Sequence, residues 1–260
     1  MISILLDKLL HPIHTWRYIS KRQRDNKTNS LWSSQEYVLK NIGSVDKSYI
    51  DLFARCPEVE HQVGRYANMK EIISEIEEGP IPGDVIEFGT WQGLGLILLE
   101  SAFRSVNSPR KFIGIDSFLG LPESSTVWEL GAFSNTSYDK AFANIEKSFG
   151  ENNSFLLIKG WFNDERVREQ LYSETTDVCL VHFDADLGSS TRDALVIIEK
   201  YLHQISHPVY FLFDDWGCHP DEVPDAFHDW LTHASKLFHI EAEKLSSTRY
   251  TRYYKITIRN

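Results

Sequence analysis

The sequence predicts an open, doubly wound, mostly parallel α/β sheet with an N-terminal helical extension and a C-terminal β-hairpin. Two observations carry this prediction. From Gly79 onward, short runs that are apolar on both faces alternate with helix-length segments. Strands buried on both faces and separated by helical connections belong to a parallel sheet covered on two sides. Before Gly79 the chain shows helical periodicity and little strand signal. Residues 1–80 therefore read as the helical extension and 81–260 as the sheet domain.

In the first part, Ile4, Leu5, Leu9 and Ile13 share one helix face, and Val38, Ile42, Ile50 and Phe53 do so over broken segments. The segment "WRYISKRQR" around Trp16 mixes aromatic and basic residues. It reads as a solvated helix end, with a membrane-surface or docking role as the weaker alternative. "GPIPGD" is a turn, and "VIEFG" after it is the first buried strand. "KFIGIDSF", "SFLLIKGWF", "VCLVHFDAD" and "VYFLFDDWG" follow as strands. "LGLILLESAF", "YDKAFANIEKSF" and "TRDALVIIEKYL" are helices between them. The tail has two β-prone runs joined by a short polar turn, which predicts the terminal hairpin.

Composition excludes several classes. A net charge of −10 over 260 residues disfavours a nucleic-acid binder, whose footprint is a basic patch. Cys56, Cys179 and Cys218 are far apart, with no CxxC pair, so the chain reads as reduced, intracellular and without a zinc knuckle. Asp7 and Lys8 interrupt the apolar start, which lacks the continuous core of a signal peptide. No run of about 18 apolar residues appears, so no membrane span is expected. The expectation is a soluble, cytoplasmic protein acting on a small molecule; a homo-oligomer is compatible with it.

In open α/β sheets, ligands bind beyond the carboxyl ends of the strands, near the switch in strand order. The first exit, "EFGTWQGLG", has Gly89, Gly93 and Gly95 at the start of a helix. Neither the dinucleotide pattern G-x-G-x-x-G nor the phosphate loop fits. What remains is acid-x-Gly-x-x-x-Gly-x-Gly, a form used by many S-adenosylmethionine sites, with plain turn glycines as the alternative. Asp116, at the end of the next strand, stands where an acid gripping ribose hydroxyls belongs, although an N-cap or loop aspartate is the plainer reading. Trp161, after "LIKG", either stacks on an adenine ring or fills the core under a loop.

"VHFDADLGSST" and "FLFDDWG" carry the acidic exits. Residues two apart in a strand share a face, so His182, Asp184 and Asp186 are expected to align. Asp214 and Asp215 leave a neighbouring strand. Carboxylates this close repel unless a cation neutralises them or some stay protonated. All-oxygen ligation suits Mg²⁺, Mn²⁺ or Ca²⁺, an open site that keeps waters suits Mg²⁺ best, and a structural ion-pair network is the alternative. Cys218 and His219 lack a matching ligand and read as loop residues.

"GDVIEFGTWQG", "IDSFLGLPE", "IKGWF", "FDADLGSSTRDAL" and "FDDWG", in this order, resemble the macrocin O-methyltransferase family. The resemblance covers about Gly83–Gly217. It implies a Rossmann-like class I methyltransferase domain that uses S-adenosyl-L-methionine and Mg²⁺ to methylate sugar hydroxyls. By position it assigns Glu87, Gly89, Thr90, Trp91, Gly93 and Asp116 to the cofactor, and Asp186, Asp214 and Asp215 to the metal. Ser117, Trp161 and Asp184 are added on the cofactor side. Asp186 is the first choice for the general base, with His182 or Asp184 behind it. The chain departs from the family at Gly188, where a tyrosine is usual. Two rival readings are a D-x-D glycosyltransferase binding Mn²⁺ and diphosphate, and a non-catalytic binder of the same fold.

Overall fold

The computed structural model describes residues 59–216, 222–245 and 251–259. A helix, α1 (Val59–Glu78), leads into a seven-stranded sheet of order β3-β2-β1-β4-β5-β7-β6. The parallel strands are β1 (Asp84–Phe88), β2 (Lys111–Asp116), β3 (Ser154–Lys159), β4 (Val178–Phe183) and β5 (Val209–Phe213). The connecting helices are α2 (Leu94–Ser105), α3 (Tyr138–Ser148), α4 (Glu165–Glu174) and α5 (Gly188–Leu202). After β5 come α6 (Glu222–Leu237), β6 (His239–Lys244) and β7 (Arg252–Arg259).

Every residue of β4 and β5 is buried, as the continuous apolar runs predict. The period-2 alternation sorts their side chains onto two faces. Leu180, Tyr210 and Leu212 join α1, α2 and α3 in one core. Ile86, Val181, Phe183, Phe211 and Phe213 join α4, α5 and α6 in the other. The strand order reverses between β1 and β4, so the crevice beyond their carboxyl ends is the place for a ligand.

The predicted terminal hairpin is present: β6 and β7 pair antiparallel from His239↔Arg259 to Lys244↔Tyr254. β7 also pairs antiparallel with β5, which extends the parallel sheet by two reversed strands. The sequence reading did not single out α4 and α6. In α4 only Val167 and Leu171 are buried, too few for a strong helical stripe. The stripes at Ile4–Ile13 and Val38–Phe53, the segment around Trp16, and Cys56, Cys218 and His219 lie outside the described residues.

The described part of the N-terminal region is α1, and it docks through Met69, Ile72, Ile73 and Ile76 into the core shared with α2 and α3. Those positions recur at helical spacing. Arg65 continues the same stripe one turn earlier, so the packing of α1 carries a charged side chain to the sheet's carboxyl edge.

Candidate active site

A cavity of about 600 Å³ opens at the carboxyl ends of the strands. At the β1 exit, Gly89 has φ +93°, and a Cβ there would lie 1.7 Å from the Asp184 carbonyl oxygen. Only glycine lets the β1 and β4 exits approach this closely. Trp91, at φ 46°, turns the loop back so that its amide donates to Asp116 Oδ2 at 2.7 Å. Gly89, Thr90 and Trp91 line the cavity. Gly93 instead shapes the start of α2, where it takes φ 91°.

Glu87 lies beneath the cavity rather than on its wall, fully buried, with Oε1 2.9 Å from His182 Nδ1. Gly95 leaves room for it, since a Cβ there would lie 1.8 Å from the same oxygen. At the β2 exit, Asp116 Oδ1 accepts from the Phe118 amide at 2.6 Å. Burial pushes the Asp116 carboxyl above its usual range, and the Phe118 and Trp91 amides work against that shift. Asp116 and Ser117 face the cavity, as does Trp161 after β3.

The segment between β2 and α3 supplies a wall that the sequence reading did not assign: Glu123, Trp128 and Phe133. Trp128 and Phe133 meet edge to face with centroids 4.8 Å apart. Glu123 Oε1 accepts from Ser189 Oγ at 2.5 Å and so joins this segment to the start of α5. The "GLPE" run marks a loop at a strand exit, where functional residues gather, but it does not single out Trp128 or Phe133.

Asp184, Asp186, Asp214 and Asp215 all reach the cavity from β4 and β5. Asp186 (φ 58°) and Asp215 (φ 57°) sit in the left-handed region, which aspartate tolerates better than most residues. Strained backbone of this kind gathers at functional sites. Arg65, missed from sequence, lies between two of these carboxylates. Its Nη1 is 3.0 Å from Asp184 Oδ2 and also donates to Asp214 Oδ2, and the side chain is 4% exposed. Burial alone would lower the guanidinium's proton affinity, but Asp214 and Asp184 outweigh it and raise that affinity. Burial and the Asp214 charge hold the Asp184 carboxyl well above the usual carboxylate range, against Arg65 and His182.

His182 does not stand on the cavity wall beside Asp184 and Asp186. Its ring is 1% exposed and lies between Glu87 and Asp214, with Nε2 3.8 Å from Asp214 Oδ2. That separation exceeds a hydrogen bond, so the Asp214 attraction is Coulombic. Burial disfavours the charged ring, but the Asp214 and Glu87 carboxylates prevail and raise His182 to about 9.

Among the described residues, one trio of possible ligand groups has all its donor atoms within 4.8 Å of one another: Glu87, His182 and Asp184. Asp186, Asp214 and Asp215 do not converge to that degree. They nevertheless present hard oxygen donors to a single cavity, and that donor chemistry fits Mg²⁺. Among the described residues, Arg65 places a permanent cation against Asp184 and Asp214.

Gly188 has a steric reason to be glycine. A Cβ there would lie 2.7 Å from the Glu222 carbonyl oxygen, and its amide donates to Glu222 Oε2 at 3.3 Å. The starts of α5 and α6 touch where a side chain at 188 would stand. No described helix is long and apolar enough to cross a membrane.

Comparison with known proteins agrees with this architecture. The chain is 26% identical over 188 residues to an 8-demethyl-8-(2,3-dimethoxy-alpha-L-rhamnosyl)-tetracenomycin-C 4'-O-methyltransferase of Streptomyces olivaceus, covering 67% of this chain and 69% of that one. It is 24% identical over 168 residues to a demethyldecarbamoylnovobiocin O-methyltransferase of Streptomyces niveus, covering 59% of this chain and 60% of that one. Among solved structures, the calicheamicin methyltransferase CalS11 superposes with a TM-score of 0.58 at 20% identity, over 91% of both chains. The O-methyltransferase NovP gives 0.57 at 22% identity, over 75% of this chain and 80% of that one. These two likenesses show a shared fold. The sequence profile of the macrocin-O-methyltransferase (TylF) family matches residues 4–242, so the chain belongs to that family of O-methyltransferases.

Proposed function

We propose that this enzyme transfers the methyl group of S-adenosyl-L-methionine to a hydroxyl of a sugar or sugar-containing metabolite, with Mg²⁺ as a cofactor. One observation carries the reading. The glycine loop, Asp116 and the four acidic-exit carboxylates open onto a single cavity of about 600 Å³. The relatives' names support a sugar-bearing acceptor, since one acts on a rhamnosyl tetracenomycin.

In this reading the Gly89–Trp91 loop and the start of α2 take the amino-acid end of the cofactor, and Asp116 with Ser117 takes the ribose. Trp161 is placed against the adenine. The acceptor enters between the Trp128–Phe133 wall and the acidic exits. When bound at Asp186, Asp214 and Asp215, Mg²⁺ supplies Lewis-acid polarisation that lowers the pKa of an acceptor hydroxyl. Asp186 takes that hydroxyl's proton. S-adenosyl-L-methionine held by the Gly89–Trp91 loop and Asp116 would supply the electrophilic methyl group, with its carbon–sulfur bond electrons passing to sulfur as the acceptor oxygen takes the methyl. His182 is a poor choice for the base: its ring is 1% exposed and lies off the cavity wall, held by Glu87. Asp184 is engaged by Arg65. The remaining groups exclude water and orient the hydroxyl, which supplies much of the rate advantage.

The test has two parts. S-adenosylhomocysteine titrated calorimetrically into the protein is expected to bind. Methyl transfer to a panel of rhamnosides and other deoxyhexosides is expected to need a divalent ion, to stop with EDTA and to return with Mg²⁺. Absence of S-adenosylhomocysteine binding sinks the reading, and full turnover after exhaustive chelation removes the metal from it.

A further inference from the structure

The acidic exits already contain a permanent cation. Arg65 arrives on α1 from 119 residues before Asp184 and 149 before Asp214, and its Nη1 addresses an oxygen of each. Both partners of the Asp214 contact are 4% exposed, so water screens it little. An arginine in a protein cannot shed its proton, so this charge does not titrate away. The same oxygen, Asp214 Oδ2, is 3.8 Å from His182 Nε2.

We propose that Arg65 is the tethered counter-cation of the acidic exits and that it sets how weakly they hold a divalent ion. The proposal rests on the reading above that these exits take Mg²⁺. Asp214 is shared between the guanidinium, the imidazole and the proposed metal, so the charge it offers an incoming ion is already partly spent. An ion entering the exits also meets the repulsion of a fixed positive charge one carboxylate away. Arg65 thereby offsets part of the repulsion among the carboxylates when no ion is bound, at the cost of ion affinity. Docking of α1 and neutralisation of the site are a single event, because Arg65 lies on the helix face that Met69, Ile72 and Ile76 bury. Arg65 is thus a positioning residue: it acts on the ion and acceptor through Asp184 and Asp214.

The experiment is Mn²⁺ binding, read from the loss of the free-ion electron paramagnetic resonance signal, to full-length wild type, Arg65→Gln and Arg65→Lys. Circular dichroism accompanies each titration. Removing a unit charge next to a metal ligand in a poorly screened site is expected to tighten Mn²⁺ binding by about tenfold or more. Arg65→Lys keeps the charge beside two carboxylates and is expected to stay within about threefold of wild type by the same Coulomb argument. Removing one partner of a buried ion pair is destabilising, so thermal midpoints are measured with and without Mn²⁺. Arg65→Gln is expected to gain more from the ion than wild type does. Unchanged or weaker Mn²⁺ binding by Arg65→Gln overturns the proposal. So does a variant that stays unfolded at every Mn²⁺ concentration, since the ion then does not replace the guanidinium. S-adenosylhomocysteine titrated into the same samples reports separately on the methyltransferase reading, so failure of one is distinguishable from failure of the other.

Discussion

The Trp91 backbone amide donates to Asp116 Oδ2 at 2.7 Å, tying the β1 exit to the β2 exit. The other oxygen of Asp116 holds the Phe118 amide. Asp116 therefore has two tasks in this structure: it fixes the glycine-loop turn at Trp91 and it faces the cavity. Each carboxylate oxygen has two acceptor positions, so ribose hydroxyls can be bound alongside the amides.

Asp116→Ala should accordingly cost more cofactor affinity than the ribose contacts alone. Lost hydrogen bonds to a charged acceptor are worth about 1.5–3 kcal/mol, and release of the Trp91 turn adds to that. Calorimetry with S-adenosylhomocysteine measures it. Asp116→Asn, which keeps one acceptor oxygen, should fall between wild type and alanine. Equal affinity for all three proteins would remove Asp116 from the cofactor site.

The Gly188 contact gives a prediction about packing. A methyl group at 188 would lie 2.7 Å from backbone oxygen, which no side-chain rotation relieves. Gly188→Ala should destabilise the fold by about 1–3 kcal/mol, the usual cost of overpacking. The same change in an ordinary helix would be stabilising. Urea denaturation of the two proteins decides it. A variant as stable as wild type would show that α6 shifts freely away from α5.

Much of this architecture was legible in the residues, and the exceptions have physical causes. Four of the parallel strands showed as apolar runs because both their faces are buried, and the edge strand β3 showed through Phe155–Ile158 although only Leu157 and Ile158 are buried; Gly89, Asp116 and the acidic exits followed from strand ends. Arg65 did not show. An arginine in an apolar helical stripe looks like a solvated residue at the stripe's edge until the tertiary structure brings Asp184 and Asp214 to it. His182 was expected to align with Asp184 and Asp186 by period-2 spacing. β4 ends at Phe183, however, so the alternation does not continue into the loop that carries the two aspartates. Trp128 and Phe133 lie in a segment without periodicity, where pattern offers nothing and only the fold sets the contact.

The buried position of His182 predicts how stability depends on pH. Its ordinary value is 6.5 and its folded value about 9, because Asp214 and Glu87 overcome the cost of burial. A group raised by folding contributes its full stabilisation below the unfolded value, and that contribution is lost as pH rises through the folded one. His182→Gln should therefore lower the melting temperature most at about pH 6, and the gap to wild type should close toward about pH 10. Melting curves across that range test it. A constant gap would mean that the imidazole acts through shape alone.

The final prediction separates chemistry from scaffolding at Asp186. Its backbone holds the left-handed conformation at φ 58°, and the residue lines the cavity. Asparagine accepts that backbone as readily as aspartate does and keeps one acceptor oxygen, but it loses the charge and takes no proton at neutral pH. Asp186→Asn should thus leave folding and S-adenosylhomocysteine affinity nearly unchanged while turnover falls. Loss of general-base action alone is worth about 10²–10⁴ in rate, and a lost metal ligand lowers it further. The measurement is single-turnover methyl transfer to an accepted glycoside at saturating cofactor, repeated over increasing Mg²⁺. Partial recovery at high Mg²⁺ would assign that fraction of the loss to ligation, and the unrecovered remainder to proton transfer. Near-wild-type turnover without added Mg²⁺ would remove both roles from Asp186.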